Sequence, residues 1–259
     1  MIEVKKISGI HNYCNRWCER CNFTERCAVA LHEKKTKEKR AESSKKDVWG
    51  TVHDNLQEAF GLLKDMLKEM EGDLEDIISD EIDNDDLTLK KQAPPATDNQ
   101  RKQLFSHINE ASKNYGFATN DWFTDNHDIL KDKEQQLKQL HTIGATHITQ
   151  DAKLIKEALA VIQWNMFLVG AKLNRATRDD DFPMIEDDPI QTDANGSAKV
   201  ALIAIEDSLV AWNVLREMIP ELSDELLGTL ATLSRLKKDT LKAFPDALKF
   251  VRPGFDDGQ

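Results

Sequence analysis

A chain of 259 residues with 40% hydrophobic and 31% charged residues has the material for a buried core and is too apolar for general disorder. Its formal net charge of −11 supplies no overall basic field for phosphate, which argues against general nucleic-acid binding. Glycine and proline are sparse, and long Leu/Glu/Lys/Ala/Asp stretches point to helices rather than strands.

The chain opens with a head, residues 1–32, that carries all four cysteines. Its first stretch, "MIEVKKISGIHNY", has no apolar run of signal-peptide length. The most apolar later run, "ALAVIQWNMFLVGAKL", is interrupted by Gln163 and Asn165 and falls short of the roughly 20 apolar residues of a membrane span. The expectation is a cytoplasmic protein with no membrane segment. In a reducing compartment, clustered cysteines are metal ligands or reactive thiols rather than disulfides.

A basic connector follows, residues 33–47, with seven basic and four acidic residues and no apolar period. It reads as a solvated helix extension or a tether, with a secondary option of meeting an acidic partner. Residues 48–250 read as a helical bundle domain, and 251–259 as a C-terminal tail. Val52, Leu56, Phe60, Leu63, Leu67, Met70, Leu74 and Ile77 recur at helical spacing, the mark of one long amphipathic helix. Pro94 and Pro95 stop helix continuation, and Asp98 or Asn99 is placed to cap the next helix, which carries Leu104, Ile108, Ala111 and Tyr115.

"NYGFATNDWFTDN" (114–126) reads as a loop in which Trp122 and Phe123 plug the bundle. A helix from near Asp128 is expected to bend or break around Gly144 and resume at Ile148. Apolar residues on nearly every face between Ala158 and Leu173 predict the central, most buried helix there. An acidic connection spans Arg175–Ser197, where Asp193 or Ser197 would cap a strongly apolar helix that Pro220 stops before the last one. The fold class expected is all-α, an antiparallel bundle of about five long helices with an N-terminal cysteine-cluster head.

The chemistry lies in "HNYCNRWCERCNFTERC" (11–27). Cys14, Cys18, Cys21 and Cys27 are spaced C-x3-C-x2-C-x5-C, and the residues between them are too polar for a core. On a helix through 11–21, Cys14, Cys18 and Cys21 would share one stripe with His11 one turn earlier. Arg16, Arg20 and Arg26 are interleaved and would partly neutralise clustered thiolates, with Trp17 as a shielding aromatic. Structural zinc sites usually use two separated Cys pairs, whereas a cluster takes several thiolates from one short segment. The spacing therefore favours a [4Fe–4S] cluster on the four cysteines, with zinc as the alternative.

The first three cysteines also match the C-x3-C-x2-C triplet of the radical S-adenosylmethionine enzymes, but the alternating strands and helices of that family's barrel are missing from the pattern. The words "YCNRWCERCNFTERC" and "DANGSAKVALIAIEDS" resemble bacterial all-helical proteins with the same cysteine spacing and no assigned function. That resemblance implies a bacterial cytosolic protein and names no reaction.

Other constellations are weaker. No E-x-x-H exists for a di-iron bundle, His53, His107, His141 and His147 stand singly, and no phosphate loop or nucleophile elbow is present. Glu206 and Asp207 lie about 100° apart on one helix, so the two cannot both face the core, and whichever faces inward needs a partner such as Lys199, Arg175, Asn165 or His53. Trp164 and Trp212 read as core. Two functional readings follow: an iron–sulfur protein for electron transfer or redox sensing, or a zinc-stapled, non-enzymatic scaffold that meets a protein partner.

Overall fold

The computed structural model describes residues 5–42, 96–142, 148–178 and 188–256. Among these the regular elements are six α-helices and a few single 3-10 turns: α1 (Ala28–Glu42), α2 (Ala96–Asp125), α3 (His127–Thr142), α4 (Ile148–Ala176), α5 (Asp193–Met218) and α6 (Ser223–Ala243). Among the described residues the regular structure is entirely helical. The amphipathic pattern over 48–77, the Pro94–Pro95 break, His53 and His147 lie outside the described residues.

The chain divides into two compact units, Met1–Ala28 with Pro94–Gln259, and Val29–Ala93. In the second unit the described residues belong to α1, which is helical as far as Glu42 and whose sequence carries no apolar stripe.

In the first unit α2, α4, α5 and α6 pack in a closed ring, each against two neighbours, with α3 against the outside of α4. Cross-helix bonds fix the directions. Asn109 Nδ2 donates to Thr177 Oγ1 at 2.7 Å, while Gly116, further along α2, meets the earlier turn of α4 at Met166, so α2 and α4 are antiparallel. Arg175 with Asp193 and Asn165 with the Ala204 carbonyl set α4 against α5 the same way. His107 with Asp239 and Asn126 with Glu225 do so for α2 and α6. This is up-down-up-down four-helix packing.

The core is built on Trp212, which is fully buried and meets Trp122 edge-to-face at 4.8 Å. Its indole Nε1 donates to the Tyr115 hydroxyl at 3.2 Å, so a large apolar body is buried with its polar handle satisfied. Burial pushes the Tyr115 pKa up, against the pull of its hydrogen bond from Trp212. At one end Phe105 stacks on Phe244 at 5.2 Å over Ala176, Ala198 and Ala247.

Several boundaries differ from expectation. The stretch 114–126 is no loop, because α2 continues through it to Asp125. Gly116 there is a packing residue: a Cβ would lie 2.8 Å from the Met166 carbonyl oxygen and 3.1 Å from the Phe167 ring. Trp122 does plug the core. Asp98 and Asn99 lie inside the first turn of α2, which begins at Ala96. The cap of α5 is Thr192, whose hydroxyl accepts from the Asn195 amide at 3.2 Å, and Ser197 is buried one turn in. Pro220 opens a 3-10 turn, Pro220–Leu222, that leads into α6.

The most buried helix is α5 rather than α4, with 13 buried residues against eight. Glycine, serine and alanine at 196–198, 201, 204, 208 and 211 let its backbone approach its neighbours closely. By length and composition α4 would pass as a membrane span, but only part of its apolar surface is in the core, and Trp164 and Phe167 face outward. Glu206 pairs with Lys237 at 2.9 Å on the surface and Asp207 is exposed beside it, so neither faces inward.

Gly116→Val should therefore force α2 off α4 and cost about 1–3 kcal/mol, read as a lowered urea midpoint. An unchanged midpoint would show that the two backbones do not approach this closely.

Candidate metal centre

Among its described residues the head has no α-helix before Ala28. It is three 3-10 turns, Ile10–Asn12, Cys18–Arg20 and Thr24–Arg26, joined by irregular chain. The helical stripe expected for His11, Cys14, Cys18 and Cys21 does not form. Arg16 takes a φ of 61°, the left-handed region that a non-glycine residue rarely adopts, and it breaks the segment between Cys14 and Cys18.

What organises this segment is α4. Lys172 Nζ donates to the Asn12 carbonyl at 2.7 Å, Trp164 Nε1 donates to the Asn15 carbonyl at 2.8 Å, and Glu157 pairs with Arg20. The three α4 residues are seven and eight positions apart, two turns each, so they lie along one face. Residues 12–20 therefore run antiparallel to α4, with Cys14 between the two clamped carbonyls. Trp17 stacks on Trp164 at 5.0 Å, and the Arg20 guanidinium covers the Trp17 ring at 3.7 Å.

Magnitudes rank these contacts. The Arg20–Glu157 pair is half-exposed and worth about 0–1 kcal/mol. The indole stack adds about 0.5–1.5 kcal/mol beyond its buried area. The Lys172 bond, in a side chain that is nearly buried, costs more to break than either, because it would leave a buried donor unmet.

The other side of the head meets α5 and the C-terminal tail. The Tyr13 hydroxyl donates to Asp193 Oδ1 at 3.0 Å, and Arg175 grips the same carboxylate through two nitrogens at 2.8 and 2.5 Å. Burial and then the Asp193 charge push the Tyr13 pKa up to about 12, so it remains a donor. The Tyr13 ring packs on Phe250 at 4.7 Å, and Gly196 makes room for both: a Cβ there would lie 2.7 Å from the Phe250 ring and closer still to Tyr13. Phe23 meets Phe255 at 5.1 Å.

The tail is held by an acid between two bases. Asp256 accepts from Lys199 at 2.8 Å and from Arg252 at 2.9 Å, and all three side chains are largely buried. Lys199 also donates to the Phe250 carbonyl at 2.6 Å. Burial alone would raise the Asp256 pKa, but hydrogen bonds from Arg252 and Lys199 outweigh it and hold the carboxyl well below the usual range.

Within this frame none of the four cysteines forms a disulfide, and Cys27 is buried while the others are partly so. Cys14 Sγ accepts from the Arg16 amide at 3.3 Å and donates to the His11 carbonyl at 3.5 Å. Cys21 Sγ accepts from the Phe23 amide at 3.4 Å. Cys18 starts the middle 3-10 turn, and Cys27 stands immediately before α1. Among the described residues no three His, Cys, Asp or Glu side chains are gathered closely enough to hold one metal ion.

The three arginines separate in role. Arg20 is committed to Trp17 and Glu157, and Arg26 Nε donates to the Lys5 carbonyl at 3.1 Å, which ties the two ends of the head. Arg16 is exposed at the strained turn. Trp164, expected in the core, is instead about one-third exposed and serves as the platform for Trp17. Lys172 and Tyr13 were not singled out from the sequence. Lys172 did leave a trace there, as a lysine on the buried stripe Asn165, Val169, Lys172 and Ala176.

A groove of about 790 Å³ runs between α2 and α4, lined by Lys102, Asn109, Lys113, Phe117, Phe167 and Asn174 among others, and shares no lining residue with the head. No family model, curated protein or solved structure matches the chain.

Trp164→Ala should unseat the head and speed tryptic cleavage after Arg16 and Arg20 while leaving the helical signal nearly intact. Equal cleavage rates would mean that α4 does not clamp the head. For the tail, a carboxyl with a depressed folded pKa contributes stability in full above its unfolded value of about 3.9, and loses it as pH falls toward the folded value. Asp256→Asn should thus cost roughly 2 kcal/mol at pH 7, with the gap to wild type narrowing below about pH 4 in denaturant titrations. A gap that stays constant into acid would contradict the triad.

Proposed function

We propose that Cys14, Cys18, Cys21 and Cys27 ligate a single [4Fe–4S] cluster and that the protein works in electron transfer or redox sensing with a protein partner, in the cytoplasm of a bacterium. One observation carries this reading: main-chain amides are aimed at the Cys14 and Cys21 sulfurs from two residues on. Such N–H to sulfur bonds stabilise thiolate and are among the levers that set a cluster's potential. The absence of disulfides and the single short window of cysteines support it further.

Closing the site requires the thiols to converge. Among the described residues the thiols are not gathered, and the segment that carries them holds three 3-10 turns. The cluster would supply one-electron chemistry. The chain's own residues would fix the ligand segment against α4 and cover it with Trp17.

A zinc-stapled head in a non-enzymatic scaffold protein is the second reading. It is favoured by how much of the head, Tyr13, Trp17, Arg20 and Phe23 included, is spent on docking contacts.

Anaerobically purified protein should be brown, with about four irons per chain. Colourless protein with one zinc per chain selects the second reading. Cys18→Ser should lower the metal content under either, and a variant that keeps it in full removes Cys18 from the ligand set.

A further inference from the structure

The middle 3-10 turn of the head joins two of the four cysteines. The Arg20 amide donates to the Trp17 carbonyl at 3.0 Å, and the Cys21 amide donates to the Cys18 carbonyl at 3.2 Å. These successive bonds make Cys18 and Cys21 the first and last residues of one tight turn. Side chains at i and i+3 of such a turn eclipse one another. The α-carbons at its ends lie within roughly 7 Å, and a disulfide spans about 4.4–6.8 Å between α-carbons. Both residues are partly exposed, within reach of a small reagent.

The other two cysteines are set apart from this pair. Cys14 lies beyond the left-handed Arg16, and its sulfur turns back to the His11 carbonyl. Cys27 is buried and follows a further 3-10 turn. Aromatic contacts hold the Cys18–Cys21 turn from both sides, Trp17 on Trp164 at 5.0 Å before it and Phe23 on Phe255 at 5.1 Å after it. The Phe23 amide is aimed at the Cys21 sulfur at 3.4 Å, which places a donor where charge develops when that thiol loses its proton.

We propose that Cys18 and Cys21 form a reactive dithiol that a low-molecular-weight disulfide of the glutathione class closes to an intramolecular disulfide. Cys21 loses its proton and its sulfur attacks the S–S bond of the small molecule, so a mixed disulfide forms and one small thiolate leaves. Cys18 then loses its proton and attacks the Cys21 sulfur, the Cys18–Cys21 bond forms, and the second small thiolate leaves. The two cysteines together give up two electrons, the small disulfide is reduced, and its two thiolates take up the two protons. The folded turn already holds the pair together, so closure is favoured in the native chain over the unfolded one. No metal takes part, and the proposal stands apart from the iron–sulfur reading.

The test equilibrates full-length protein, native and urea-unfolded, with chelator-containing glutathione buffers after its metal content is recorded. Remaining thiols are blocked, and tryptic peptides are weighed by mass spectrometry. Trypsin cuts after Arg16, Arg20 and Arg26, which puts each cysteine on a peptide of its own, Cys18 on 17–20 and Cys21 on 21–26. Those two peptides should be recovered joined, lighter than their sum by two hydrogens, with Cys14 and Cys27 recovered as blocked thiols. At one glutathione ratio the joined fraction should be several-fold larger in the native chain than in the unfolded one. Cys14→Ser and Cys27→Ser should keep the link, whereas Cys18→Ser and Cys21→Ser should each leave a glutathione adduct on the remaining cysteine of the pair. Links to Cys14 or Cys27, adducts on both cysteines without a link, or equal joined fractions in the two states overturn the proposal. A native chain that retains metal and stays unlinked also overturns it and leaves the metal reading standing. A linked chain found to carry no metal supports it while removing that reading.

Discussion

Two side chains of α4, Lys172 and Trp164, reach the main-chain oxygens of Asn12 and Asn15, and the placement of the whole head follows from that grip. Residues 5–27 contain one buried aliphatic side chain, Ile10, and no regular helix or strand, so they cannot hold a conformation through a core of their own. Backbone carbonyls in an irregular segment need partners, and α4 supplies two of them at a fixed spacing of about two turns. The Trp17–Trp164 stack then covers the apolar surface that remains. Cys14 is the residue caught in the middle.

The bundle is shaped to allow this. Small residues on α5 draw it close to its neighbours, and α4 turns Glu157, Trp164 and Lys172 to the head. The tail completes the seat through Phe250 and Phe255, and it is kept in place by Lys199, Asp256 and Arg252 rather than by helical structure. Charge is used locally: in a chain of net charge −11, the buried Lys172 lies within the fields of Arg16 and Arg175, which oppose its charge, and of Cys14 and Asp193, which favour it.

How much of this was legible in the sequence varies with the physical source of each feature. Helical periodicity reveals burial, so α4, α5 and α6 were found from their apolar stripes, while α3 was found although it buries no residue fully. It failed at 114–126, where Gly116 and three asparagines resemble a turn, because glycine serves close helix packing as well as turns. It also ranked α4 above α5, since counting apolar residues rewards large side chains, whereas the tightest burial here comes from small ones. The cysteine spacing identified candidate ligands but not their local conformation. The left-handed Arg16, which no spacing rule anticipates, removed the proposed helical stripe. Trp164 and Lys172 were hidden for one reason: a residue that faces a docked irregular segment follows the same helical period as one that faces the core.

The central claim is that the head presents four thiolates to one metal centre. X-ray absorption at the metal edge of anaerobically prepared, full-length protein addresses it without reference to activity. The account predicts a first shell made of sulfur at about 2.3 Å, the ordinary metal–thiolate distance, with a second shell of metal scatterers for the cluster and none for zinc. A first shell of oxygen or nitrogen, or metal that is lost on gel filtration before the spectrum is taken, would contradict it.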